Sequence, residues 1–306
     1  MKEIGKILTY LCAVLIFGAL LAPPLYWGAQ WVVGAGYLPV LKKYAFQKYL
    51  NRGVLISAFV LLWPMVKWLE IRGGGEWMLE PDPQRGRHLG LGLMVGAVAM
   101  AVLAVGYLMG GVYRLDEVPE WRKLFGAALS AVVVSVLEES LFRGGINGLF
   151  RRSLGVNAAL WATAILFALV HFIKPDQSVK VNEVFWWSGF ALLPHSFHQF
   201  ANPMLFLGGF VTLLTFGLIL GIAANRTRAL WMSIGIHAGL VFVKLGFEKV
   251  TDRRVEYLPW IGPELQVGLI PVAVLVLAGV WVWWLTGATA GEGSVPRGTN
   301  ANPRQS

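Results

Sequence analysis

Cysteine is almost missing from this chain: Cys12 stands alone, so no intrachain disulfide can form, and a lone thiol says nothing about compartment. Charge is scarce too. Only 14% of the residues are Asp, Glu, Lys or Arg while 56% are hydrophobic, a balance that excludes an ordinary soluble domain. Acidic residues are the scarcer sign, 17 against 26 basic ones, which leaves a formal net charge of +9. In a soluble protein that excess would suggest nucleic acid. In a chain this apolar it places lysines and arginines in loops near lipid headgroups, and nucleic acid is not an expected partner. Internal repeats are absent as well.

What is abundant is apolar sequence in runs of about 20 residues, the length that crosses a bilayer as a helix with its backbone hydrogen bonds satisfied internally. The expected fold is all-α, a polytopic membrane helix bundle of about eight transmembrane helices. The runs lie at 7–31, 53–70, 89–111, 124–150, 157–173, 203–224, 229–247 and 267–286. The first continues past Ala22 without a small-residue cleavage site, so it reads as a retained span rather than a signal peptide. Residues 71–88 read as an extramembrane loop and 287–306, rich in Gly, Pro, Ser and Asn, as a disordered tail. The organisation is therefore 1–119 N-terminal helices and loops, 120–247 a functional core, 248–286 a loop and last helix, and 287–306 the tail. Arg151, Arg152, Arg226 and Arg228 share a side with Lys2 and Lys6 and mark it as cytoplasmic, with Lys42, Lys43, Lys48 and Arg52 opposing from the other side. The expected location is multi-pass in a bacterial plasma membrane.

The run at 124–150 carries Glu138, Glu139 and Arg143 in its interior. Each such group costs on the order of 2.5–3.5 kcal/mol to insert, so it is expected to face a bundle interior or polar cavity and to have a partner. Glu139, Arg143 and Asn147 recur every four residues, which pairs Glu139 with Arg143 on one stripe. Glu138 lies about 100° around the helix and is left free to work.

Two further polar groups interrupt apolar runs, His171 and His237. The short connection at 151–156 makes an antiparallel hairpin, and at about 1.5 Å per residue Glu138 and His171 fall within about 3 Å in depth. The same count puts His237 roughly 15 Å from that surface against roughly 23 Å for Glu138, a gap that helix tilt can close. Two histidines and a carboxylate form a catalytic zinc ligand set with one open position, and Glu138, His171 and His237 are its candidate ligands. Zn2+ there would make a water nucleophile available for peptide-bond hydrolysis inside a bilayer. Each histidine can alternatively be satisfied by a neighbouring helix.

These residues resemble a known family. Glu138-Glu139-Ser-Leu-Phe-Arg143 resembles its EExxxR motif, Phe167-Ala-Leu-Val-His171 its FxxxH motif, and Ser233-Ile-Gly-Ile-His237 the third motif of the CAAX prenyl protease and bacteriocin-processing (CPBP, Abi) family of intramembrane metalloproteases. The order and spacing of all three agree across residues 120–247. By that resemblance Glu138 activates the attacking water, His171 and His237 bind metal or stabilise the oxyanion, and Glu139 with Arg143 shapes the site. The family usually has Asn or Asp four residues after the third-motif histidine, where this chain has Val241. Lys244, on nearly the same face, is expected to snorkel to the interface, with replacement of the missing amide as the alternative.

Residues 175–203 are too polar to cross and too aromatic for an ordinary loop. Trp186, Trp187, Phe190 and Phe197 suggest a segment at the membrane interface that could cap a cavity. His195 and His198 have the spacing of a helical metal pair, with Glu183 and Asp176 as possible complements, but solvation or headgroups satisfy such a pair as well. Three functions compete: a membrane endopeptidase acting on peptide or lipid-anchored protein substrates, a catalytically impaired relative that binds a membrane peptide or protein, and a proton-relay transporter. The transporter lacks the paired broken helices expected of inverted repeats.

Overall fold

The structure is a computed structural model that describes residues 2–68, 78, 81–116 and 123–291. The expected tail therefore lies mostly outside the described residues, as does most of the loop expected at 71–88. An all-α bundle is what the apolar runs build: α1 (Lys2–Gly34), α2 (Phe46–Trp68) and α3 (Arg85–Met109), then α4 (Lys123–Glu139), which continues through a π-helical segment, Ser140–Ile146, into α5 (Asn147–Leu154). After the turn at Gly155 come α6 (Val156–Val170), the short α7 (Ser188–Leu192), a 3₁₀ segment Pro194–Ala201, α8 (Pro203–Thr227), α9 (Trp231–Phe247) and α10 (Leu269–Gly291). A helix covers each of the eight apolar runs. By length and composition five described helices can cross a membrane, α6 and α9 being shorter apolar helices. Exposed side chains such as Val98 and Val102 on α3, Leu129 and Val133 on α4 and Leu277 and Val280 on α10 give the outside an apolar surface that water would not tolerate.

The most extensive helix pairing, α3 against α9, is made by glycine. Gly92 and Gly96 face Gly235 and Gly239. A Cβ on Gly96 would stand 2.0 Å from the carbonyl oxygen of Ile236, and one on Gly239 would stand 2.3 Å from that of Leu93. Lipid gives helices no hydrophobic reason to associate, so close backbone approach at small residues supplies the packing. His237 lies between the two α9 glycines, and its position is set by this contact.

The only strands among the described residues are β1 (Tyr113–Leu115) and β2 (Thr251–Arg253), paired antiparallel. They join the chain leaving α3 to the chain leaving α9. Beyond β2 the connection to α10 folds on itself: Tyr257 bridges Ile261, Gly262 donates to the Val267 carbonyl at 2.8 Å, and Leu265 is fully buried. That connection covers one end of the bundle. The interfacial segment packs beside it: Leu192 joins Ala19, Ala22, Phe46 and Leu50 in a core, while Trp186 and Trp187 stay exposed.

Candidate active site

α4 delivers both glutamates at its C-terminal end, where the wider π-helical turns begin. Arg143, inside that segment, donates from Nη1 to Glu139 Oε1 at 2.9 Å and from Nη2 to the Gly217 carbonyl of α8 at 3.0 Å. Its guanidinium also lies over the Phe167 ring, 4.6 Å from the centroid. Both charges are sealed from solvent, at 1% and 0% exposure, and each is the other's compensation. Asn147 is buried one turn further on and accepts from Thr163 of α6 at 3.4 Å.

Glu139 has a second partner. His237 Nδ1 lies 2.9 Å from Glu139 Oε1, and because a carboxylate only accepts, the proton is on Nδ1. His171, at the C-terminal end of α6, donates from Nδ1 to the Phe167 carbonyl at 2.7 Å by the same logic. Both Nε2 atoms are thereby left with their lone pairs, and both face Glu138 Oε2, at 3.5 Å from His171 and 3.9 Å from His237. That oxygen is buried without a hydrogen-bond partner. Three acceptors facing one another repel unless a proton, a water or a cation lies between them.

Phe167 is the packing centre of this arrangement. It is fully buried, with ring centroids 4.3 Å from His171, 5.1 Å from Phe142, 6.1 Å from Phe216 and 6.2 Å from His237. An inner cavity of about 240 Å³ opens onto Glu138, His171 and His237, walled mainly by Phe167, Leu213, Phe216, Leu240 and Val241. An outer, polar cavity of about 730 Å³ lies at the bundle end, bounded by Lys48, Gln177, His198, Glu248 and Arg253 among others. Lys174, Lys244 and Glu264 line both.

The structure thus brings together all five residues singled out from the sequence, Glu138, Glu139, Arg143, His171 and His237. The depth mismatch computed for His237 disappears for a geometric reason. The continuous helix Leu124–Leu154 has 31 residues, about 46 Å, longer than a hydrocarbon core of about 30 Å, so its end is a poor origin for counting depth. Lys244 departs from expectation: instead of reaching headgroups, its Nζ is held 2.7 Å from Glu264 Oε2 on the cavity wall. His198 Nδ1 lies 3.0 Å from the His195 carbonyl, and among the described residues no third His, Cys, Asp or Glu gathers with this pair. Among the described residues no three His, Cys, Asp or Glu side chains are gathered as a ready metal cluster.

Residues 120–243 match the family described as Rce1-like, type II CAAX prenyl endopeptidase. That segment is similar to the CAAX prenyl proteases. Comparison with curated proteins gave no match. The matched segment runs from just before α4 into α9 and contains all five clustered residues. Lys174, Glu248, Glu264 and Gln266 escaped the sequence reading. Glu248, Glu264 and Gln266 follow the family segment in what looks like an ordinary polar connection, and Lys174 looks like a helix-end cation.

Proposed function

We propose that the chain is an intramembrane endopeptidase of the CAAX-protease-like type, hydrolysing peptide bonds of membrane-associated substrates with a water activated by Glu138, His171 and His237. The observation that carries this reading is the convergence of two tautomer-fixed Nε2 lone pairs on one unpartnered carboxylate oxygen. A water between them has both protons directed, one to Glu138 and one to an imidazole, which leaves an oxygen lone pair to attack a peptide carbonyl carbon. Glu138 takes the proton as the C–O bond forms and returns it to the leaving nitrogen as the C–N bond breaks. Glu139 acts through His237: its hydrogen bond fixes tautomer and ring orientation, and Arg143 holds the carboxylate in place. Phe167 holds both imidazoles and the guanidinium in register.

The donor set also fits zinc, since two imidazole nitrogens and a carboxylate are a ligand set of catalytic zinc sites and Glu138 Oε2 lacks any other partner. Glu138, His171 and His237 would hold it, and the ion would let a water ionise near neutral pH. The apolar walls of the inner cavity suit peptides or lipid-anchored chains arriving laterally from the bilayer, in the setting of a bacterial plasma membrane.

Purified protein in detergent should cleave a fluorogenic membrane-associated peptide, and Glu138→Gln, which keeps volume and hydrogen bonding, should lower turnover by roughly 100-fold or more. Equal turnover by correctly inserted Glu138→Gln protein would remove Glu138 from the reaction.

A further inference from the structure

Attack on a peptide carbonyl drives negative charge onto its oxygen, and a hydrolase needs a hydrogen-bond donor already in place there. Among the described side chains lining the inner cavity, most donors are engaged elsewhere. His171 and His237 commit their Nδ1 protons to the Phe167 carbonyl and to Glu139, so each presents a lone pair at Nε2 and has no proton there to donate. The Thr212 hydroxyl carries one hydrogen, directed to the Gly208 and Gly268 carbonyls. Leu240 and Val241 carry none. Lys244 Nζ lies 2.7 Å from Glu264 Oε2 and Lys174 Nζ 3.7 Å from Oε1, so the two lysines and the carboxylate form one bridge.

Gln266 differs from all of these. Its Nε2 carries two hydrogens: one goes to Glu264 Oε2 at 2.7 Å and the other is uncommitted, while its buried Oε1 has no partner. The amide cannot be turned round, because Oε1 would then face a carboxylate oxygen and two acceptors would meet. A buried amide with half its hydrogen bonds unmade, on the wall of the cavity that holds Glu138, is completed by what enters that cavity.

The chain holds this amide still. Gln266 is the third residue of a turn closed by the Val267 N–H on the Glu264 carbonyl at 2.9 Å, and Leu265 beside it is fully buried. The connection sits tightly on α8: a Cβ on Gly208 would stand 2.7 Å from the Pro259 carbonyl oxygen, and Thr212 reaches across to Gly268. The lysine bridge fixes Glu264, and Glu264 fixes the amide nitrogen. A donor held in this way needs no reorganisation at the moment of reaction.

We propose that Gln266 is a further catalytic residue, donating its free Nε2 hydrogen to the carbonyl oxygen of the bond under attack. The proposal rests on the reading of the inner cavity as a protease site. As the water oxygen bonds to the carbonyl carbon, the C=O π pair moves onto the carbonyl oxygen, where the Gln266 hydrogen meets it. The pair returns as the C–N bond breaks and Glu138 protonates the leaving nitrogen.

The test compares full-length wild type with Gln266→Met, which keeps length and loses the amide, on the fluorogenic peptide and on its analogue with sulfur in place of the target carbonyl oxygen. Gln266→Met should lower kcat on the oxygen peptide about 100-fold and leave KM within about threefold, since the donor acts on charge that develops only in the transition state. Sulfur accepts hydrogen bonds poorly, so its rate penalty should be smaller in Gln266→Met than in wild type; a purely structural role would let the two losses multiply. Should Gln266→Met fail to fold, Gln266→Asn, which withdraws the amide by one methylene, must still lower kcat and shrink the sulfur penalty. Unchanged kcat in folded Gln266→Met, a loss confined to KM, or an undiminished sulfur penalty overturns the assignment and leaves the protease reading standing. A sulfur penalty that shrinks in Lys244→Met but not in Gln266→Met overturns it too, by moving the role to the lysine. No cleavage of the oxygen peptide by wild type sinks the protease reading and this inference with it.

Discussion

Glu138 and Glu139 are neighbours in sequence with the same side chain, yet their surroundings assign them different work. Glu139 is sealed and receives hydrogen bonds from Arg143 and His237, whereas Glu138 is 19% exposed and keeps an oxygen without a partner at the cavity. Arg143→Ala should therefore be the more damaging change to stability. It leaves the Glu139 charge uncompensated in the interior, a loss on the order of 3–5 kcal/mol, while Glu138→Gln removes no buried partner. Thermal unfolding in detergent should rank wild type and Glu138→Gln together and Arg143→Ala well below; the reverse order would show that the two glutamates have been assigned the wrong way round. On the proposed zinc reading, purified wild type should contain the metal and His237→Ala should lower that content, measured by mass spectrometry, because it deletes one of the two Nε2 donors. Unchanged zinc in that variant would place any bound metal elsewhere.

At the scale of elements, the two glycine pairs determine how closely α3 and α9 approach, and through α9 where His237 stands. A side chain at Gly239 meets the Leu93 carbonyl at 2.3 Å and can be housed only by separating the helices. Gly239→Leu should cost about 1–3 kcal/mol in stability and also reduce turnover, since His237 moves with its helix. Gly126, whose Cβ would meet nothing within 4 Å, is the control: Gly126→Leu should leave both properties near wild type. The connection after β2 has its own signature in pH. The Glu264 carboxyl is held below its ordinary value of 4.5 by the two lysines, so the bridge contributes its full stability above that value and loses it as pH falls through the folded-state value. The stability advantage of wild type over Glu264→Gln should accordingly be steady at neutral pH and shrink on acidification below about pH 4.5. A gap that grows in acid would reverse the sign and contradict the bridge.

For the whole molecule, the site opens at the bundle end that carries Lys48, Lys174 and Gln177, opposite the turn bearing Arg151 and Arg152. If arginines of the short turns mark the cytoplasmic side, substrates approach the polar cavity from the other face. A membrane-impermeant thiol reagent added to intact cells should then label Gln177→Cys, made in a Cys12→Ser background, and should not label Arg152→Cys until the membrane is opened. The opposite labelling pattern would invert the chain in the bilayer.

Residue type and spacing determined that this chain is an α-helical membrane bundle and that Glu138, Glu139, Arg143 and His171 lie near one another, while the motif resemblance added His237 to them. Apolar run length and helical period are local properties, and an ionisable group inside such a run must have a partner whatever the tertiary arrangement. The interlocking glycines, Gly92 with Gly96 and Gly235 with Gly239, were also present as small residues four apart, but which helices they join is not a local property. Packing alone decided that Lys244 turns to Glu264 instead of to headgroups and that His237 reaches Glu138 despite the count of residues. Each of these depends on how long the packed helices are and on which chain segment, distant in sequence, folds over their ends. No period or motif encodes either.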